Sequence, residues 1–190
     1  MEAIVSSFLL VAVSEMGDKT QLLAFSLASR YRRPWVVMAG ILVATVLNHA
    51  LASSLGTWIS ANVPPAMMAA ALAATFIGFG FWTLKPDEAP DAAASDRFGP
   101  FVTTTVLFFL AEMGDKTQLA TVALAAQFHS VVRVTIGTTL GMLAADGLAV
   151  FLGERLAQKV SLRVLRWVAA GFFFLFGAAS AFAAWTAWRG

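Results

Sequence analysis

Six stretches dominated by apolar residues run along the chain, at positions 3–29, 34–60, 65–84, 100–128, 131–152 and 164–188. Each reaches the ~20 residues that a helix needs to cross the hydrocarbon layer of a bilayer. Tryptophans gather near their ends (Trp35, Trp58, Trp82, Trp167, Trp185 and Trp188), as in an interfacial aromatic belt. A soluble helical bundle has no need of helices so uniformly apolar. The pattern predicts an all-α integral membrane protein with six transmembrane helices.

The first and fourth stretches carry the same octapeptide, Glu-Met-Gly-Asp-Lys-Thr-Gln-Leu, at 15–22 and again at 112–119. Sliding the chain by this offset of 97 also lays Gly40 on Gly137, Leu55-Gly56 on Leu152-Gly153 and Gly80 on Gly177, without gaps. The chain therefore reads as two copies of one three-helix unit, 1–84 and 100–190, joined by a cytoplasmic linker at 85–99. The linker holds the one polar, Pro/Ala/Asp-rich segment, and its acids (Asp87, Glu88, Asp91 and Asp96) read as a solvated loop.

Loop charge predicts orientation. Arg30, Arg32, Arg33, Lys85, Arg97, Arg155, Lys159, Arg163 and Arg166 fall on one side, against Arg133 and Arg189 on the other. The positive-inside rule then puts both termini outside and the linker inside. Three helices per unit is an odd number, so the second unit enters the membrane upside down. Such inverted repeats place a substrate site near the midplane between the two units. The apolar run at 4–13 lacks a basic segment before it and meets Glu15 instead of small cleavage-site residues, so it reads as mature protein.

Composition narrows the classes. Hydrophobic residues make up 59% of the 190 and charged residues 13%, with a mean hydropathy of +0.76. Soluble domains carry about 25% charged residues. No length is left over for a soluble domain. A net charge of +2 gives no footing for nucleic acid, and the absence of cysteine removes disulfides and thiolate metal sites.

Against this apolar background the octapeptides hold Glu15, Asp18, Lys19, Glu112, Asp115 and Lys116. A charge at the bilayer centre costs roughly 2.5–3.5 kcal/mol on insertion scales. Six such groups facing lipid would cost about 15–20 kcal/mol, above the stability of a typical fold. They must be paired, hydrated or holding a cation. On a continuous helix Glu15, Asp18 and Lys19 share a face, as do Glu112, Asp115 and Lys116. Gly17 and Gly114 allow either close packing or an unwound turn. If the two segments meet, four carboxylates converge, with Thr20, Gln21, Thr117 and Gln118 adding neutral oxygens. That donor set suits a hard divalent cation: Ca2+, Mn2+ or Mg2+. Clustered carboxylates also favour protons when the metal is absent. The competing reading is that Glu15–Lys19 and Glu112–Lys116 are merely intrahelical ion pairs, which leaves Asp18 and Asp115 without partners.

Weaker candidates surround this set. Asn48 and His49 fall mid-span, and their repeat counterparts are Ala145 and Asp146. Asp146 is a fifth acid, read as the counter-ion of a motif lysine, a member of a proton relay, or a group close to the interface. His49, Met16 and Met113 read first as packing residues. Gly137 and Gly141, and Gly40 with Ala44, have the spacing of close helix contacts. The run Phe172–Phe174 reads as lipid-facing bulk.

The paired Glu-x-Gly-Asp-Lys-Thr motif, on the first and fourth of six short helices, resembles one family over essentially the whole chain. These are the cation–proton exchangers that include the Golgi calcium/manganese transporters and bacterial manganese exporters. Residues 15–20 and 112–117 satisfy that family's signature without departure. The resemblance implies metal binding at Glu15, Asp18, Glu112 and Asp115, with Thr20 and Thr117 in support. It also implies transport rather than enzymatic chemistry: Mn2+ or Ca2+ as transported substrate, no permanently bound cofactor, and export driven by protons. The short linker implies a compact prokaryotic member in the inner membrane. The residues alone leave open Mn2+ against Ca2+, oligomeric state, a passive cation channel, an organic-solute exporter and a non-transporting scaffold.

Overall fold

A computed structural model of the chain describes residues 1–85, 98–152 and 162–189. Among the described residues the regular structure is helical and no strand occurs. Eight helices follow in order: α1 (Glu2–Glu15), α2 (Lys19–Tyr31), α3 (Pro34–Asn62), α4 (Pro65–Thr83), α5 (Gly99–Glu112), α6 (Lys116–Phe128), α7 (Val131–Leu152) and α8 (Leu162–Arg189). Four segments are long and apolar enough to cross a membrane: α3, α4, α7 and the Arg166–Arg189 part of α8. Most of the linker lies outside the described residues, as do Arg97, Arg155 and Lys159.

Residues 3–29 and 100–128, each expected as one helix, are each broken in two inside the octapeptide. The chain leaves α1 through an extended Met16 (ψ 114°) and turns at Gly17 with φ 82°. Met113 (ψ 118°) and Gly114 (φ 76°) repeat the turn between α5 and α6. A side chain would strain both glycines in this left-handed region. Asp18 and Asp115 then sit in extended backbone as the N-caps of α2 and α6. The alternative of an unwound turn at the glycines is thus the one adopted.

The sequence repeat reappears in the helices. The second set of helices begins 97 residues after the first at every element: Glu2 and Gly99, Lys19 and Lys116, Pro34 and Val131, Pro65 and Leu162. Two counterpart pairs, α3 with α7 and α4 with α8, pack antiparallel. Trp35 meets Phe151 at one end of the α3–α7 crossing, with ring centroids 4.8 Å apart, and Thr135 bonds Ser53 toward the other. Likewise Gly80 faces Phe174 while Ile77 faces Gly177 between α4 and α8. The remaining main contacts exchange partners between the sets: α1 lies along α7 and α5 along α3, while α6 lies along α3 and α2 along α7.

Hydrocarbon tails are as apolar as these side chains, so association depends on close packing rather than on escape from water. Gly137 and Gly141 do what their spacing predicts, letting α1 sit directly on α7. A Cβ at Gly137 would lie 2.5 Å from the Ile4 carbonyl oxygen, and one at Gly141 2.7 Å from that of Phe8. Two apolar clusters fill the interior. One gathers Leu23, Leu27, Val37, Ile41 and Phe108; the other gathers Leu72, Phe76, Leu124, Val134 and Phe173. Leu27 and Leu124, and Val37 and Val134, are repeat counterparts, so each end of the bundle carries its own plug. Phe173 corrects the lipid-facing reading of its run: it is fully buried against Phe79, because α8 turns this face to α4.

Gly137→Leu forces two backbones apart, and overpacking of this kind costs about 1–3 kcal/mol or more. Thermal unfolding of the detergent-solubilised protein is expected to drop by several degrees. Gly78→Ala, where a Cβ meets nothing within 4 Å, is expected to leave it unchanged.

Candidate cation site

Each helix break is fastened by the glutamine of its own octapeptide. Gly17 N–H donates to Gln21 Oε1 at 2.8 Å, and Gly114 N–H donates to Gln118 Oε1 at 2.8 Å. The break frees backbone groups that lipid cannot satisfy, and the glutamine one turn into the next helix takes up one of them. Their amide nitrogens reach across: Gln21 Nε2 to the Ala145 carbonyl at 2.8 Å and Gln118 Nε2 to Asn48 Oδ1 at 3.3 Å. Ala145 and Asn48 are repeat counterparts, so the two glutamines reach equivalent positions, one at a backbone carbonyl and the other at a side-chain oxygen. Asn48 Nδ2 also donates to the Phe109 carbonyl at 3.0 Å. Gln21, Gln118 and Asn48 are therefore braces of the breaks. The two glutamine oxygens, expected to add neutral oxygens near a cation, each accept one backbone N–H here.

The lysines pair across the molecule. Lys19 Nζ lies 3.0 Å from Asp115 Oδ1, and Lys116 Nζ lies 3.0 Å from Asp18 Oδ2. This overturns the intrahelical alternative. The helix stops between Glu15 and Lys19, so their spacing no longer puts them on one face. Each lysine instead extends from the first turn of its helix to the cap aspartate of the other octapeptide. Asp18 also accepts from Lys19 N–H at 2.7 Å. The pairs differ in exposure: the Lys116 side chain is 3% exposed and that of Lys19 22%.

Glu15 and Glu112 lie between these pairs, both buried. Thr20 donates to Glu15 Oε2 at 2.8 Å, and Thr117, from the other octapeptide, donates to Glu15 Oε1. Among the described residues neither oxygen of Glu112 has a hydrogen-bond partner. Glu15, Glu112 and Asp115 bring one carboxylate oxygen each to within 4.8 Å of one another. Oxygens on opposite sides of a Ca2+ or Mg2+ ion lie about 4–5 Å apart. Three carboxylates in this space thus fit the shell of one hard divalent cation. The triplet takes in three of the four expected acids; Asp115 within it is also paired with Lys19, as Asp18 outside it is with Lys116.

Asp146 is fully buried on α7 and close enough to Glu15, Asp18 and Glu112 to feel their charge. It is not the counter-ion of a motif lysine, because both lysines are held by aspartates. Neither of its oxygens has a hydrogen-bond partner among the described residues. His49, its repeat counterpart, is equally buried and equally without partners on its ring.

The profile described as "Divalent cation/proton antiporter GDT1" matches twice, over residues 3–91 and 100–188. The chain belongs to the GDT1 family. It is thus a membrane transporter of the cation/proton antiporter kind, not an enzyme. A Vibrio cholerae protein named "Putative manganese exporter" is 43% identical over 183 residues, covering 96% of this chain and 92% of that one. A GDT1-like protein of Synechocystis is 32% identical, covering 95% of this chain and 97% of its own. "GDT1-like protein 3" of Oryza sativa is 28% identical and covers 95% and 74%. No solved structure matches the chain.

Removing one partner of a buried ion pair costs about 3–5 kcal/mol because it leaves a buried charge unpaired. Both lysine variants leave a buried aspartate, so both Lys116→Met and Lys19→Met are expected to lower the thermal midpoint, Lys116→Met the more because its own side chain is also buried. Adding Asp18→Asn to Lys116→Met should recover part of the loss. Equal effects of the two lysine variants would show that the cross-pairs do not differ in burial.

Proposed function

We propose that this chain exports Mn2+, and less readily Ca2+, from the cytoplasm in exchange for protons, using the octapeptide carboxylates as the shared site. The observation that carries the reading is the buried triplet of Glu15, Glu112 and Asp115, sized for one divalent ion, in a member of a cation/proton antiporter family. The name of the Vibrio cholerae relative favours manganese. In this reading α1–α2 and α5–α6 are two broken spans. With α3, α4, α7 and α8 they make six crossings, arranged as two inverted three-helix repeats, 1–84 and 100–190, about the linker. The basic loops put both termini outside a prokaryotic inner membrane.

The residues divide the work as follows. Glu15, Glu112 and Asp115 contact the ion. Asp18 belongs to the site through Lys116 and becomes a ligand when that lysine moves aside. Lys19 and Lys116 hold the aspartates while no metal is present and limit the negative charge of the empty site. Thr20 and Thr117 orient the carboxylate of Glu15. Metal and protons alternate because a cluster of carboxylates in lipid needs positive charge from one or the other. The apolar plugs at the two ends would open in turn as the repeats rock against one another, giving alternating access.

Proteoliposomes test this directly. An imposed pH gradient is expected to drive Mn2+ uphill, and Glu15→Gln, Glu112→Gln and Asp115→Asn are each expected to cut the flux at least tenfold while still inserting. A passive channel built on the same acids would dissipate a Mn2+ gradient but fail to build one from a pH gradient. Mn2+ is expected to raise the thermal midpoint of the wild type by mass action, more than Ca2+ or Mg2+. Undiminished flux from all three variants would overturn the site assignment.

A further inference from the structure

A polar stripe leads away from the carboxylates along one face of α3. His49, Ser53, Thr57 and Ser60 recur at helical spacing, with Asn48 beside His49 at the inner end. Exposure rises along it: Asn48, His49 and Ser53 are fully buried, and Thr57 and Ser60 are half-buried. At the inner end Asn48 is bonded to Gln118, which holds Gly114, the residue between Glu112 and Asp115. Midway, Thr135 of α7 donates to Ser53 Oγ at 3.1 Å and lies 3.4 Å from the His49 carbonyl oxygen. At the outer end Ser60 Oγ is 3.0 Å from His129 Nδ1. A cavity of about 250 Å³ opens there, lined in part by Ser60, Gln127, His129 and Ser180.

Several polar atoms on this route have no hydrogen-bond partner among the described residues. They are both ring nitrogens of His49, the Oγ of buried Ser180, and Gln127 Oε1. Unsatisfied polar atoms are costly in a membrane interior. They are tolerated where water or an ion visits. If the polarity served packing alone, the repeat-related positions would be expected to share it. The counterpart of Ser53 is Val150, that of Thr135 is Met38 and that of Ser60 is Ala157, whereas His49 and Thr57 correspond to the acids Asp146 and Glu154. The asymmetry that singles out this route is thus at Ser53, Thr135 and Ser60.

We propose that this stripe is the passage for the exchanged ions between the carboxylate cluster and the end of the molecule that carries Asn62 and Ser130. The assignment rests on the exchange reading above. Neutral hydroxyls, an imidazole and an amide can stand in for part of an ion's hydration without trapping it as further carboxylates would. Ser53 is fully buried, so the passage is closed in this conformation and conducts only when α3 and α7 separate near Thr135.

The test begins with wild-type protein in liposomes, where Mn2+ uptake driven by a pH gradient is measured. Its absence would overturn the exchange reading itself. In an active preparation, Ser53→Val combined with Thr135→Met installs the residues found at the repeat-related positions. This variant is expected to slow exchange at least tenfold while keeping the Mn2+-dependent thermal shift, and Ser53→Thr is expected to keep both. The chain has no cysteine, so a single introduced thiol reports alone. A membrane-impermeant methanethiosulfonate added on the Asn62 side is expected to modify Ser53→Cys and block exchange, but not to modify Val150→Cys. Wild-type exchange by the double variant overturns the passage. So does an active Ser53→Cys protein that stays unmodified, which decides the matter even if the double variant fails to fold.

Discussion

The structure depends on keeping buried charge neutral without water. Two lysines and two aspartates meet this by reaching across from one octapeptide to the other, each pair at 3.0 Å. The helix breaks make the reach possible. A continuous helix would stack Lys19 beside Glu15 on its own surface. The glycine turn instead starts a new helix at the aspartate and directs the lysine toward its opposite number. The charges that would burden each half alone thereby cross-link the halves. Glu15 and Glu112 are left between the pairs, with no lysine from either.

Pseudo-symmetry holds for the backbone and fails at the chemistry. Helix starts, break glycines, glutamine braces and lysine pairs all recur at one offset. Yet both threonine hydroxyls serve Glu15 and neither serves Glu112. The central positions of α3 and α7 carry His49 on one side and Asp146 on the other. A transporter with identical halves would present the same surface to its ion from either side. Here the two halves differ at buried positions where polarity is costly, so the site does not look the same from its two sides.

Much of this was legible in the chain. The duplicated octapeptide fixed the repeat, and the cost of charge in lipid marked the same residues that the structure gathers. The glycine spacing on α7 announced the close contact with α1. What stayed hidden depended on geometry beyond the local helix. Spacing rules assume an unbroken helix, so they offered Lys19 to Glu15 as a competing pair and could not show each lysine reaching the aspartate of the other octapeptide. The glutamines read as donors to a cation because nothing in sequence reports that a broken backbone has already claimed their oxygens. Phe173 read as lipid-facing because an apolar helix in a membrane has no polar face to contrast with its packed one.

The threonine asymmetry bears on how two such halves exchange roles. The arrangement seen here, with Thr20 and Thr117 both on Glu15, has an image under the repeat in which both serve Glu112. The two arrangements use the same donors and the same number of hydrogen bonds, and differ in which glutamate is left to other partners. Packed interfaces tend to settle into one discrete arrangement or another rather than deform continuously. A hydrogen-bond set with two equivalent positions, fixed between two rigid breaks, is the kind of element that can be biased by a cation on one side and a proton on the other. Its energy gap would be set by the residues that break the symmetry nearby. On α3 and α7 those are His49 and Asp146.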